Sequence, residues 1–252
     1  MTPHYASTER FKRALELFQQ AHQQDPAGQS AAYHAELNET VHRLAQDRHR
    51  TLASNLAEAK EANPSEALVL AANCQHIRRW ERPRSSYGEG LSQYKMWRSA
   101  LSKFHTEVAH AIMTEAGYDA QHEKAFFSRV RDLLQKRTLA RPPLPDPLPG
   151  RLMFSQKGEV QHPLSDQPSH LPPTVADPDM HLFEDAICIV FLRLQFVDFA
   201  RTHQDDADKL IGIVRKTWVK MTLQGHQIVT NELVSQLPKD LQMMLATALG
   251  GA

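Results

Sequence analysis

Phe183-Glu184-Asp185-Ala186-Ile187-Cys188-Ile189-Val190-Phe191-Leu192-Arg193-Leu194 is the stretch that decides the fold. Phe183, Ala186, Ile187, Val190, Leu194 and Val197 recur at spacings of three and four, the period of an α-helix. The run is apolar on nearly every side, so its helix is enclosed by others and marks the centre of a core. Its unbroken apolar part, Ala186 to Leu192, is far too short to cross a bilayer.

The same period continues on both sides. Phe11, Ala14, Leu15 and Phe18 predict a helix capped by Ser7 or Thr8 and broken at Asp25-Pro26-Ala27-Gly28. A second runs from about Ala31 through Leu37, Val41 and Leu44, on past His49 to Ala59. Ser65 caps a third, carrying Ala67, Leu68, Leu70, Ala71 and Cys74, which Pro83 stops. Leu91 to Glu115 is a long amphipathic helix ended by Gly117, and Lys124 to Gln135 is another. Downstream, Asp205 or Asp206 caps a helix through Leu210 and Trp218 that Gly225 ends, and Pro238 opens the last one. Ten of the fifteen prolines lie between Arg141 and Pro178, which excludes regular helix there. Within that stretch Gly158 closes a small hairpin and Ser165 to Pro173 reads as disordered. The expectation is a single all-α domain over residues 1–252 with a Pro-rich loop, 141–178, inserted in it.

Composition bounds the function. At 252 residues, with 41% hydrophobic and 23% charged, this is an ordinary globular chain. Lysine plus arginine and aspartate plus glutamate balance at 29 each, which argues against nucleic acid or an anionic membrane as partner. Cys74 and Cys188 sit in apolar runs, and two cysteines make neither a zinc knuckle nor a disulfide framework. The beginning of the chain lacks the basic and apolar regions of a signal peptide, so the expected location is cytoplasmic. Gly-x-Gly-x-x-Gly, P-loop, Gly-x-Ser-x-Gly and His-Glu-x-x-His patterns are all missing, which sets aside the common nucleotide folds and hydrolase triads.

The candidate chemistry begins at His76-Ile77-Arg78-Arg79-Trp80-Glu81-Arg82-Pro83-Arg84, nine residues with four arginines. Buried arginines are rare unless paired, so this cluster either lines a solvated cleft holding an anion or builds an ion-pair network with Glu81, Glu89 and Glu107. Arg79, Arg82 and Arg84 follow one helix end at a proline turn and can fan around one pocket. Guanidinium forks there would grip a phosphate or carboxylate. Glu184 and Asp185 place two carboxylates in the most apolar helix. Adjacent helical residues point about 100° apart, so one of them, Asp185, is expected to face inward and to need a partner. His105 also faces inward. His76, His105 and Asp185 together would make a mixed site for a divalent transition metal, although a hydrogen-bonded core histidine is the ordinary role for each imidazole. Lys209, Arg215, Lys216 and Lys220 around Trp218 read either as a solvated face or as a clamp in which Lys216 and Lys220 oppose the arginines.

Ala72 to Arg84, Tyr94 to Arg98, Phe104 to Glu107, Gly117-Tyr118, Glu184 to Leu192 and Arg215 to Met221, in that order, resemble an uncharacterised family of bacterial and fungal proteins, a domain of unknown function. Some fungal members carry a glutamyl-tRNA synthetase label, but no synthetase nucleotide motif is present. More distantly, Gln75-His76 at the end of an apolar helix and Glu184-Asp185-Ala186 in a later one resemble the HD-domain phosphohydrolase superfamily, with Ile77 standing where its aspartate follows the histidine. That likeness implies an HD-domain-like helical bundle holding a metal through His76, Asp185 and His105, with Glu184 and His105 in catalytic roles. It implies hydrolysis of a small anionic, phosphorylated or nucleotide-like substrate held by Arg79, Arg82, Arg84, Lys216 and Lys220. The alternative is a metal-free protein whose basic cleft binds a nucleotide, an RNA end or an anionic metabolite.

Overall fold

The computed structural model describes residues 3–52, 63–137 and 177–249. Ten α-helices run through them: α1 (Glu9–Gln23), α2 (Ser30–Leu52), α3 (Glu66–Ala72), α4 (Leu91–Glu115), α5 (Lys124–Gln135), α6 (Pro178–Val190), α7 (Phe196–Thr202), α8 (Ala207–Trp218), α9 (Leu223–Ile228) and α10 (Lys239–Leu249). No strand occurs among the described residues, and the fold is all-α. No helix of the described residues is long and apolar enough to cross a membrane. The expected hairpin and most of the Pro-rich loop, along with the stretch expected to carry the second helix to Ala59, lie outside the described residues.

Helix α6 is the hub, touching α2, α3, α5 and α9. Leu37, Val41 and Leu44 form the buried stripe of α2, its principal neighbour. Met180, Phe183, Ala186, Ile189 and Val190 are buried on α6. Each fully buried Leu, Val or Phe of this kind stabilises the fold by about 1.5–3 kcal/mol. Asp177 caps α6, accepting from Met180 N, with Pro178 in the first turn. It also binds Arg129 of α5, so one carboxylate ties two helices together. Past Val190 the helix widens into a π-turn, Phe191–Gln195, before continuing as α7.

Three boundaries differ from expectation. Gly225 does not end α8, which stops at Trp218; it lies inside α9, where an added Cβ would sit 2.7 Å from Asp185 Oδ1. Thr8 occupies the N-cap position of α1 without a side-chain capping bond, its hydroxyl donating instead to Tyr5 O. Helix α3 ends at Ala72, eleven residues before the proline expected to stop it. The cause lies in α2, which offers alternative partners to the next backbone groups. Asn73 Nδ2 donates to Asn38 Oδ1 and back to Val69 O, competing with the helical ladder. Tyr33 donates to Gln75 Oε1, and His34 Nε2 accepts from the His76 N–H. Arg78 then turns the chain with φ of 53°, the left-handed region, into a short 3₁₀ turn at Arg79–Glu81.

Candidate functional site

The released segment 73–84 and the start of α2 enclose a cleft of about 480 Å³. Its walls include Tyr33 and His34 from α2, His76, Arg79, Trp80, Arg82 and Arg84 from the turn segment, Trp97 from α4, and Gln195 from the π-turn. Arg79, Arg82 and Arg84 thus line one pocket.

The three guanidiniums are held differently. Arg79 stacks over the Trp97 ring at 5.3 Å, and Arg82 over Phe104 at 5.1 Å. Neither has a carboxylate partner among the described residues. Arg84 Nη1 donates to Tyr87 O at 2.7 Å and to Gly88 O at 2.8 Å, so it also shapes the following loop. Of the network expected with Glu81, Glu89 and Glu107, Arg78–Glu81 is the one pair among the described residues, and Arg78 does not line the cleft. Asp25 is the one acidic residue of the wall. Its oxygens already accept from the backbone N–H groups of Ala27, Gln29 and Ser30. The cleft therefore carries net positive charge with unspent guanidinium donors.

Beneath it lies a set of neutral imidazoles. A carbonyl only accepts, so each ring nitrogen bonded to one must carry the proton. His22 Nε2 donates to Asn73 O and His34 Nδ1 to Ser30 O, and the two rings stack at 3.8 Å. His105 Nδ1 donates to Ile77 O at 2.8 Å, which leaves its Nε2 as a bare lone pair, buried and without a partner among the described residues. Burial is the main force holding all of these unprotonated: it pulls His34 down to about 3 and His105 to about 4. His76 is driven well below its ordinary value by burial and then by Arg79. Its ring stacks on Tyr33 at 5.3 Å, lies 5.8 Å from the His105 ring, and makes no hydrogen bond among the described residues.

The two carboxylates of α6 serve another purpose. Both are buried, Glu184 at 1% and Asp185 at 2% exposure, which corrects the expectation that only one could face inward. From Leu182 to Val190 only Ile187 is partly exposed, so the middle of α6 offers neither carboxylate a solvent side. Glu184 pairs with Lys136 at 2.5 Å and Lys220 at 3.5 Å. Burial raises its carboxyl pKa, and the two ammonium groups more than offset that, leaving it below the usual range. Asp185 accepts from Thr222 N at 2.7 Å and Thr222 Oγ1 at 2.5 Å, at the start of α9. Burial nonetheless pushes it up to about 6.

His76, His105 and Asp185 do not form the expected ligand set, because Asp185 spends both oxygens on Thr222. Among the described residues no group of three or more His, Cys, Asp or Glu is placed to hold a metal ion. Glu184 is an ion-pair partner in the core. Lys220 is that partner's counter-charge, and Lys216 is exposed; neither lines the arginine cleft. Arg215 donates to Ala248 O, and Trp218 stacks on His226 at 3.9 Å. Sequence reading missed Tyr33, His34, Trp80 and Gln195. Tyr33-His34 on the buried stripe of α2 was the available signal, since two polar rings at core positions need partners.

No curated protein and no solved structure matches this chain significantly, so the likeness to the HD superfamily rests on sequence alone. Residues 12–244 match the family model described as Domain of unknown function (DUF4202), and the chain belongs to that family.

Proposed function

We propose that the protein holds a small anionic ligand in the cleft of Arg79, Arg82 and Arg84, and that a phosphate ester is the class that fits. The observation carrying this is that Arg79 and Arg82 face one cleft while stacked on aromatic rings and free of carboxylate partners among the described residues. Stacking fixes the plane of a guanidinium and leaves its in-plane donors for a bidentate acceptor. A purely structural arginine would instead spend those donors on protein groups, as Arg78 does on Glu81.

The metal-free binding reading is better supported than metal-dependent hydrolysis. Hydrolysis of the HD kind asks Asp185 to share an ion with His76 and His105, and its oxygens are committed elsewhere. One observation keeps acid–base chemistry open as a second reading: His76 lines the cleft with neither ring nitrogen bonded among the described residues. A neutral imidazole beside a bound phosphate is suitably placed to exchange a proton with it.

Isothermal titration with inorganic phosphate and with sulfate at low salt tests the binding. Both should bind, weaken as salt rises, and lose at least about tenfold in affinity in Arg79→Gln. Lys216→Ala should bind like the parent. No binding by the parent, or equal losses in the two variants, would overturn the proposal. Phosphate release from a phosphomonoester, lost in His76→Asn with binding retained, would favour the second reading.

A further inference from the structure

The chain has three tryptophans, and the structure uses them unequally. Trp218 lies flat against His226, their planes 7° apart. Trp97 is buried, donates its Nε1–H to Arg82 O at 2.9 Å and gives its face to Arg79. Trp80 is different. It sits half-buried in the cleft wall between Arg79 and Arg82. Among the described residues neither its ring nor its Nε1–H has a partner. A half-exposed indole with no ring, cation or acceptor against it among the described residues leaves apolar area uncovered and its N–H donor unspent. One residue before it and two after it, the guanidiniums of Arg79 and Arg82 likewise keep N–H donors without a carboxylate partner among the described residues.

We infer that the ligand of this cleft is a mononucleotide, its phosphate held by Arg79 and Arg82 and its base stacked on Trp80. This rests on the anion-binding reading above and names the class of ligand. A free phosphate or a small dicarboxylate would satisfy the arginines and leave the indole bare. A flat aromatic ring on a phosphate ester satisfies both at once. The volume of about 480 Å³ suits a drug-sized molecule. Gln29, Ser30 and Gln195 line the same space and supply donors and acceptors for a sugar or a base edge. A nucleic-acid polymer is disfavoured, because tracking a phosphate backbone needs a positive excess and the chain's formal charge is zero.

The test compares AMP and GMP with ribose 5-phosphate, inorganic phosphate and adenosine by isothermal titration. The parent should bind the two nucleotides at least about tenfold more tightly than ribose 5-phosphate, the gain expected for one base on one aromatic ring. Trp80→Leu should erase that preference while binding ribose 5-phosphate as before. Trp80→Phe keeps a ring and should restore most of it, which separates stacking from any loss of fold. Nucleotides binding no better than ribose 5-phosphate, or Trp80→Leu weakening every ligand equally, would overturn the inference and leave the anion site standing. Adenosine binding without any phosphate binding would instead overturn the anion site. A 5′-phosphorylated trinucleotide binding far more tightly than AMP would overturn the limit to a single nucleotide.

Discussion

The cleft around Arg79 and the carboxylate pair in α6 solve the same electrostatic problem in opposite ways. In α6 every buried charge is answered by the protein: Glu184 by Lys136 and Lys220, Asp185 by Thr222. In the cleft, Arg79 and Arg82 are stacked on rings and left without carboxylate partners among the described residues. A charge that is fully answered belongs to stability, and one left open belongs to something that comes and goes. Residue type alone does not separate these roles. Five charged side chains were candidates for chemistry in the two regions, Arg79, Arg82, Arg84, Glu184 and Asp185, and of these the cleft arginines keep capacity to spare.

The comparison is broken most directly at Lys136. Lys136→Ala strips the closer counter-charge from a carboxylate that is 1% exposed, and should cost about 3 kcal/mol of stability, read by urea denaturation. A loss under about 0.5 kcal/mol, the range of ordinary surface substitutions, would show that Glu184 is not held by this pair. Gly225→Ala attacks the second carboxylate. Its Cβ would meet Asp185 Cγ at 2.9 Å, and overpacking there should cost about 2 kcal/mol.

Acidity sharpens the contrast, since the buried histidines beside the cleft and Asp185 of α6 respond with opposite sign. His34 and His105 titrate lower in the folded chain than in the unfolded one, near 3 and 4. Their stabilising effect is complete above the unfolded value of about 6.5 and is lost as pH falls through it, because the unfolded chain then binds more protons. Asp185 titrates near 6 instead of 3.8, so its contribution grows as pH falls through that range. Between pH 7 and 5 the histidines should prevail, so stability should fall with acid, His22 and His76 adding to the loss. Asp185→Asn should make that acid loss steeper; a shallower one would reverse the assignment. The smallest expected effect on folding is that of Arg79→Gln. It should change stability by no more than about 1 kcal/mol, the worth of the stacking on Trp97, while weakening phosphate binding at least about tenfold.

What the sequence made legible follows from which forces are local. Three-four periodicity is local, so the helices around Phe11, Leu37, Leu101 and Phe183 stand where apolar spacing put them. Arg79, Arg82 and Arg84 are close neighbours in the chain, so their place in one wall is a local matter as well. The end of α3 was not, because it is set by Asn38, Tyr33 and His34, some forty residues away in the chain. For the same reason Asp185 read as a metal ligand. Its actual partner, Thr222, carries no signature in the sequence that would pair the two.

The walls of the cleft have a consequence for how the molecule is made. They are drawn from residues 25–34, 76–84, 97 and 195, so the last of them lies more than 160 positions beyond the first. Each helix forms from neighbours, whereas this site waits on loop closures spanning most of the chain. During synthesis the arginines leave the ribosome well before Gln195, and the pocket is incomplete until the π-turn arrives. In a refolding reaction helicity should therefore return first and ligand capture last. Binding then serves as a clock for the finished fold, where circular dichroism reports only its parts.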